Sequence, residues 1–174
     1  MSIYEAIFKA DQEDRKGDPQ TIDWDIVGPR DTARIARLKE AIRTAPPQSA
    51  RECYCAAVVL LHTMDLETLD EARRLAREAF RLAPPDDLAF ASLTAVSQDR
   101  WLLAQGRRQW YGTQKRMVNG HVELEPIDED AVSDTERTRL GLSPLAEVRE
   151  TLRRRKLALR AQQELQRRRQ LRSS

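Results

Sequence analysis

Capping signals in front of apolar runs constrain the fold of this 174-residue chain more than any other feature. A Ser or Thr followed three residues later by Glu opens such runs at Ser49, Thr68 and Ser133. This capping box satisfies backbone N–H groups at the start of a helix. Proline pairs at 46–47 and 84–85 then end two of the predicted helices, because proline cannot continue one. The chain is therefore predicted to be mostly helical.

Apolar residues at helical spacing predict five to seven helices. The first is expected from about Ser2 to Arg15, and Asp31 is expected to cap the second after a loop that includes Trp24. The third, from Ser49 through Leu61, is almost entirely apolar and is predicted to be central. Thr68 is expected to start the fourth.

The second half of the chain contains one break in the helical pattern. Asp86 or Asp87 is expected to cap a fifth helix that ends at Gly106. Asn119-Gly120 between short apolar segments is a strong signal for a two-residue β-hairpin turn, near residues 114–125. Ser143-Pro144 then opens a long last helix.

The predicted fold class is a mostly α, antiparallel helical-hairpin stack with one small β-hairpin and a long C-terminal helix. Residues 53–84 resemble one tetratricopeptide-type unit, since Ala72, Ala79 and Pro84 fall at that motif's spacings. The next helix does not repeat the pattern, so the stack is expected to be tetratricopeptide-like without being a repeat array. The predicted organisation is one helical domain over 1–148 and a basic C-terminal helix or tail over 149–174.

Charge is distributed unevenly along the chain. The formal net charge is +2, yet residues 149–174 contain nine arginines and one lysine against two glutamates, so this segment carries +8 and the rest −6. Such an asymmetry is typical of an interaction tail. Residues 149–172 are therefore candidates for binding nucleic acid through phosphate contacts, or an acidic protein.

Composition excludes several classes. The longest apolar stretch, Cys55 to Leu61, is too short to cross a bilayer, and no signal-peptide pattern is present, so no membrane partner and a cytoplasmic location are expected. Cys53 and Cys55 lack a second pair to complete a zinc site, and they are interpreted as reduced structural thiols. No metal and no cofactor are predicted, and the sequence leaves the oligomeric state open.

Three polar clusters lie on or beside apolar helices. Asp11 and Arg15 are neighbours one turn apart near the end of the first helix. The third helix carries His62 at the end of its apolar run. The third cluster runs from the fifth helix into the following loop: Asp99, Arg100, Gln109, Tyr111, Thr113 and Gln114. If the first, third and fifth helices pack together, these clusters could converge.

Each group has a structural and a functional interpretation. Asp11 with Arg15 can be a surface ion pair, and His62 a histidine satisfied by a backbone carbonyl. Gly112 with its neighbours can simply turn the chain from helix to strand. Alternatively, these side chains line a pocket in which a few polar groups orient a small molecule or peptide.

Three functions follow from these interpretations. The first is binding of a small molecule or peptide at a polar centre around the YGTQ segment, with Arg15 or Arg100 pairing with an anionic group. The second is an enzyme of specialised metabolism in which His62 is a general base oriented by Asp99. The third is an adaptor that uses the Arg-rich C-terminal helix. No G-x-S-x-G, P-loop, H-E-x-x-H or dinucleotide-binding glycine pattern supports a well-specified enzyme class.

Several stretches together resemble a bacterial family of uncharacterised function, common in actinomycetes. They include ADQEDR, TIDWDIVGPRDTARIARLKE, YCAAVVLLH, SQDRWLLAQGRRQWYGTQ and RLGLSPLAEVRE. The family's signature is D-R-x-L-x-x-x-G-x-x-Q-x-[YF]-G-T-Q, and the chain matches it from Asp99 to Gln114 at every specified position. The resemblance spans about residues 8–150 and implies a mostly helical intracellular domain with a shared polar centre, but no reaction.

The chain departs from the family pattern on the third helix. Cys55 stands where members tend to have His, Leu61 where they have Gln, and Thr63 where they have Gly, whereas His62 is retained. If the family's polar groups form a catalytic set, the resemblance implies that this chain has lost part of it.

Overall fold

The computed structural model describes residues 1–18, 21–85 and 87–173, with the side chains of 167–169 and 171–173 excepted. In this part of the chain there are seven α-helices and one two-stranded antiparallel sheet, so the predicted mostly α class with a β-hairpin and a long C-terminal helix is confirmed. The helices are α1 Ile3–Glu13, α2 Trp24–Thr44, α3 Ala50–Leu60, α4 Leu66–Leu82, α5 Leu88–Ala104, α6 Asp134–Arg139 and α7 Leu145–Ser173. The strands are β1 Lys115–Val118 and β2 His121–Leu124.

Capping explains most helix starts. Ser2 and Glu5 form a complete capping box at α1, and the hydroxyls of Ser49 and Ser133 accept from backbone N–H groups of α3 and α6. Asp87 caps α5, as one of the two predicted alternatives; the other, Asp86, lies outside the described residues. These starts follow the sequence signals because a cap depends on residues three positions apart.

Two predicted caps are wrong. The second helix starts at Trp24, capped by Asp23, and continues through Pro29, so the predicted loop around Trp24 is helical. Asp31 is a buried residue inside α2, where it pairs with arginines. Asp65 replaces Thr68 as the cap of α4, because its carboxylate accepts from both the backbone and the hydroxyl of Thr68.

The core forms around α3. This helix packs on α1, α2 and α4, and α4 packs in turn on α5. Its Cys53 and Cys55 are both buried and unpaired by disulfide, and burial raises the pKa of the Cys55 thiol to about 11. The thiols therefore behave as small apolar groups, as predicted. The likeness to a tetratricopeptide unit stays a prediction.

The hairpin turn has the predicted conformation. The φ angle is 48° at Asn119 and 76° at Gly120. Two consecutive positive φ values suit a two-residue hairpin turn, and Val118 pairs with His121 across it. Helix α7 packs against β2, where Lys156 bonds Glu123 at 3.0 Å. The hairpin is thereby held between the loop that follows α5 and the first half of α7.

Candidate functional site

Asp99 binds the loop that follows α5. Its side chain is fully buried, and Oδ1 accepts from the backbone N–H groups of Trp110 and Tyr111, both at 2.8 Å. Oδ2 accepts from the N–H of Thr113 at 2.9 Å and from its hydroxyl at 2.8 Å. A carboxylate has about four acceptor positions. Asp99 therefore uses its full capacity within the protein.

Gln109 continues this arrangement on the other side of the loop. Its buried amide donates to the carbonyls of Gln114 and Glu125 at 3.0 and 2.8 Å and accepts from the Gln114 N–H at 2.8 Å. Its backbone bonds Pro126 and Asp128. Gln109 thus ties the loop to the segment that leaves β2. We call Asp99, Gln109 and Thr113, with the loop backbone they bind, the loop staple.

Gly112 lies where the loop approaches other elements most closely. Its φ is +63°, and a Cβ atom there would lie 2.9 Å from Ile127 Cδ1. Both the positive φ and this close approach require glycine. The glycine of the YGTQ segment is therefore explained by backbone geometry.

Tyr111 and Gln114 complete the YGTQ segment. Tyr111 packs beside a small apolar cluster that includes Ala91, Ala95 and Leu140, and burial raises the pKa of its hydroxyl. The Gln114 amide donates to the Thr113 hydroxyl at 3.1 Å. The predicted ligand-binding groups of Gln109, Thr113 and Gln114 thus bond mainly to the loop itself.

A second group of polar residues lies between α1 and α2. Arg15 bonds Asp11 Oδ1 at 2.7 Å and Asp31 Oδ2 at 2.5 Å. Arg34 bonds Asp31 at 3.0 Å and also contacts Asp14. These residues alternate in charge and join the two helices. We call Asp11, Asp14, Arg15, Asp31, Arg34, His62 and Arg100 the charge cluster.

Asp11 is the most buried member of the charge cluster. Burial alone would raise its pKa, but contacts with His62, Gln12 and Arg15 outweigh burial and hold the pKa below its ordinary value. His62 Nε2 lies 3.3 Å from Asp11 Oδ1, although the direction of the ring N–H does not make it a hydrogen bond. About a quarter of the His62 side chain is exposed. The carboxylate beside His62 is therefore Asp11 rather than the predicted Asp99.

Arg100 differs from the other arginines of the charge cluster. Its guanidinium is half-buried, its Nε is buried, and it makes no hydrogen bond or ion pair to any described residue. Burial, together with the neighbouring charge of Arg15, lowers the pKa of Arg100. An unpaired cation held beside another cation is electrostatically unfavourable without an anion.

The predicted polar centre is thus divided between two places. In the charge cluster Asp11 contacts both Arg15 and His62, and the charge of Arg15 also acts on Arg100. The other predicted residues, Asp99, Gln109, Thr113 and Gln114, lie in and around the loop staple. Asp99 and Arg100 are adjacent on α5 and point to different faces, since consecutive helical residues are about 100° apart. Asp99 of the family signature therefore belongs to the loop staple, and the adjacent Arg100 belongs to the charge cluster.

Sequence reasoning missed Asp14, Asp31 and Arg34. Asp31 and Arg34 have the spacing of an ion pair on one helix face, a signal that the assignment of Asp31 as a cap obscured. The pairing of Asp14 with Arg34 joins two helices, and no local spacing indicates it.

The residues at the three positions near His62 that depart from the family pattern have structural roles. Cys55 and Leu61 are buried in the core around α3. The hydroxyl of Thr63 accepts from the Asp65 N–H at 3.0 Å, just before α4. Loss of an activity through these replacements stays a prediction.

The basic segment is helical through Ser173. Its first part contacts the body, with Arg149 bonded to Glu129 at 2.6 and 3.1 Å. Leu157 and Leu165 farther along are each 52% exposed. Binding of nucleic acid or an acidic protein through residues 149–172 stays a prediction, and the side chains of its last arginines lie outside the described residues.

Metal-binding clusters and membrane-spanning helices are both absent from the described part of the chain. Within residues 1–18, 21–85 and 87–173, no three His, Cys, Asp or Glu side chains are grouped to hold a metal ion. None of the helices described there has the length and apolar character needed to span a bilayer. The predicted cytoplasmic location stays a prediction.

Comparison with known proteins gives one significant result. The model of a family of unknown function, DUF6624, matches residues 37–158, which is more than half of the chain. No curated protein and no solved structure gives a significant match. The matched range contains His62 and the whole signature from Asp99 to Gln114, whereas Asp11 and Arg15 precede it. The predicted resemblance to an uncharacterised family is confirmed, and the chain belongs to this family of unknown function.

Proposed function

We propose that the protein binds a small molecule carrying a carboxylate or phosphate group at Arg100, near Arg15. The observation that carries this proposal is the half-buried guanidinium of Arg100, which has no partner among the described residues. Arginine binds carboxylate and phosphate oxygens through paired N–H donors. An oxyanion on Arg100 would satisfy the buried Nε and offset the charge of this guanidinium.

The charges of the cluster support this assignment. Asp11, Asp14 and Asp31 are its three carboxylates. Within the cluster their arginine partners are Arg15 and Arg34, and Arg30 outside it also bonds Asp14. Arg100 pairs with none of these carboxylates among the described residues. A cation removed from water costs several kcal/mol unless it is paired, and an anionic ligand would remove much of this cost.

The loop staple has an indirect role in this proposal. Asp99 fixes the loop from one face of α5, while Arg100 lies on another face of the same helical turn. The staple thereby holds the end of α5 in place and orients Arg100. In this view the YGTQ segment positions the site without contacting the ligand.

Titration of wild type and Arg100→Met with inorganic phosphate and with citrate in Tris–chloride tests the proposal. For wild type we expect saturable binding by calorimetry and a rise in melting temperature. Arg100→Met should bind the anion that wild type prefers at least about tenfold more weakly. Without added anion, Arg100→Met should be at least as stable as wild type, because methionine keeps the apolar contacts and removes the unpaired charge.

Arg107→Met is the matched control, because Arg107 is exposed just beyond α5. It should bind like wild type. Equal affinity in wild type and Arg100→Met, or no saturable binding of either anion to wild type, would overturn the proposal. Binding of only one of the two anions would show which oxyanion the site prefers.

A second candidate is acid–base chemistry at His62, which the contact between His62 and Asp11 favours. Asp11 Oδ1 lies 3.3 Å from His62 Nε2. A carboxylate in this position favours the neutral tautomer that carries its proton on Nε2. Nδ1 would then be the free base, on a side chain that remains partly exposed. This arrangement differs from the predicted one because the carboxylate beside His62 is that of Asp11 and not that of Asp99.

The tautomer of His62 can be measured by ¹⁵N NMR. We expect the neutral ring to be protonated mainly at Nε2 in wild type, and this preference to weaken in Asp11→Ala. His121, which bonds Glu123 through Nε2 at 2.8 Å, provides an internal reference that the change at Asp11 leaves unaffected. Protonation of His62 mainly at Nδ1 in wild type would eliminate this candidate.

A further inference from the structure

A cleft separate from the charge cluster lies between the loop after α5, α6 and the start of α7. Its volume is about 600 Å³. A cavity of this size is within the range of small-molecule sites. Its apolar wall is formed by Trp110, Val132, Leu145 and Ala146. No member of the charge cluster lines the cleft. A ligand here would be independent of the one proposed above.

The loop staple determines one wall of this cleft. The Trp110 N–H donates to Asp99, so the backbone that carries the indole is fixed from α5. Trp110 itself is half-buried and lines the cleft. An aromatic side chain on a fixed backbone, beside aliphatic residues, suits a planar apolar group.

The carboxylates around the cleft already have partners. Glu129 bonds Arg149 in a bidentate pair, and Glu150 bonds Arg153 at 2.9 Å. Asp134 accepts from the Leu145 N–H at 2.9 Å, and its Oδ1 lies 3.6 Å from Arg137 Nε. These acids therefore all have partners, yet one buried N–H donor of Arg137 has no acceptor among the described residues.

Arg137 is only 3% exposed. Its Nε and Nη2 donate to the Ser143 carbonyl at 3.0 and 2.7 Å, whereas its buried Nη1 has no acceptor among the described residues. Nη1 and Leu145 Cδ1 lie 3.4 and 3.2 Å from the point that a Cβ of Gly112 would occupy. They therefore meet at the loop end of the cleft, under the signature glycine.

We propose that this cleft binds a small aromatic acid. The planar body would lie against Trp110 and the aliphatic wall, and the carboxylate would accept from Arg137 Nη1 after a shift of the Leu145 side chain. An anion there would satisfy a buried guanidinium nitrogen that water does not reach. The glycine at 112 leaves room for Leu145, whose Cδ1 would lie only 3.2 Å from a Cβ at that position, and this contact relates the signature to the cleft.

Two dyes that differ by one charged group test the proposal. The probes are 8-anilinonaphthalene-1-sulfonate, whose sulfonate stands in for the carboxylate, and N-phenyl-1-naphthylamine, which lacks it. Dye fluorescence and energy transfer from tryptophan report binding. For wild type we expect saturable one-to-one binding of the sulfonate, with the neutral dye at least about tenfold weaker.

Ala146→Trp is the obstructing variant, because Ala146 is exposed on α7 and lines the cleft, so a larger side chain fills it without removing a bond. It should bind the sulfonate at least about tenfold more weakly. Ala158→Trp, on an exposed position of α7 away from the cleft, is the matched control and should bind like wild type.

Three outcomes would overturn the proposal. Unchanged sulfonate binding in Ala146→Trp would place the dye elsewhere, for example on the basic helix. Equal affinity for the two dyes would remove the requirement for an anion. The absence of saturable binding of either dye to wild type would remove the site. All three leave the proposal for Arg100 unaffected.

Discussion

Replacing Asp99 with Ala is expected to lower the free energy of unfolding by about 3–5 kcal/mol, because three buried N–H groups would lose the carboxylate that accepts from them. The change removes four hydrogen bonds and leaves the N–H groups of Trp110, Tyr111 and Thr113 without their acceptor. Each unsatisfied buried donor costs roughly 1–3 kcal/mol, and relaxation of the loop recovers part of this. Denaturant unfolding followed by circular dichroism measures the loss.

Two further variants separate the hydrogen bonds from other effects. Asp99→Asn should lower the free energy of unfolding less than Asp99→Ala does. The amide oxygen still accepts hydrogen bonds from one side of the loop, whereas the NH₂ group cannot accept from Thr113. Asp130→Ala removes an exposed carboxylate. Its free energy of unfolding should differ from that of wild type by about 0.5 kcal/mol at most. A loss of under about 1 kcal/mol in Asp99→Ala would contradict the structural role assigned to the signature aspartate.

Replacing Asp11 with Ala should cost about 3 kcal/mol of unfolding free energy at neutral pH, since it breaks a buried charge network from one side. Arg15 retains Asp31, but His62 loses its neighbouring carboxylate and the Gln12 amide loses its acceptor. Glu13→Ala, which removes an exposed carboxylate on the same helix, is the control. This control should change the free energy of unfolding by about 0.5 kcal/mol at most.

The pH dependence of this difference follows from the pKa of Asp11. Burial opposes ionisation, yet contacts with His62, Gln12 and Arg15 keep the folded-state pKa below the ordinary value. A lowered folded-state pKa stabilises the protein above the unfolded-state pKa of about 4 and loses that effect as the pH falls through the folded-state value. Unfolding at pH 7, 5 and 3 should therefore show the gap between wild type and Asp11→Ala shrinking below about pH 4. A gap that grows on acidification would contradict the assigned ion pairs.

Local signals predicted the architecture well because they act over a few residues. A serine caps a helix by bonding the backbone only three positions ahead. The Asn119-Gly120 turn forms because both residues can adopt positive φ values. The start of α2 was missed for the opposite reason. Gly28 and Pro29 favour a loop locally, but the cap at Asp23 and burial of Val27 keep the segment helical.

The candidate site was less predictable because polar side chains do not reveal their partners. Asp99, Gln109 and Thr113 have the chemistry of ligand-binding residues, and only the folded loop shows that backbone groups occupy them. The prediction that all the polar clusters converge depended on the first, third and fifth helices packing together, and it did not separate Arg100 from Asp99. The missing counter-ion of Arg100 is a tertiary property that no spacing encodes.

The N–H resonances of arginine side chains give the most direct test of the anion site. In ¹H–¹⁵N spectra, the Arg100 Nε–H signal, assigned by its loss in Arg100→Lys, should shift saturably when phosphate or citrate is added. The Arg81 signal, from an exposed arginine bonded to Glu78, should not follow the same curve. A non-saturating drift shared by all arginines, or an unchanged Arg100 signal, would contradict the assignment of Arg100 as the anion receptor.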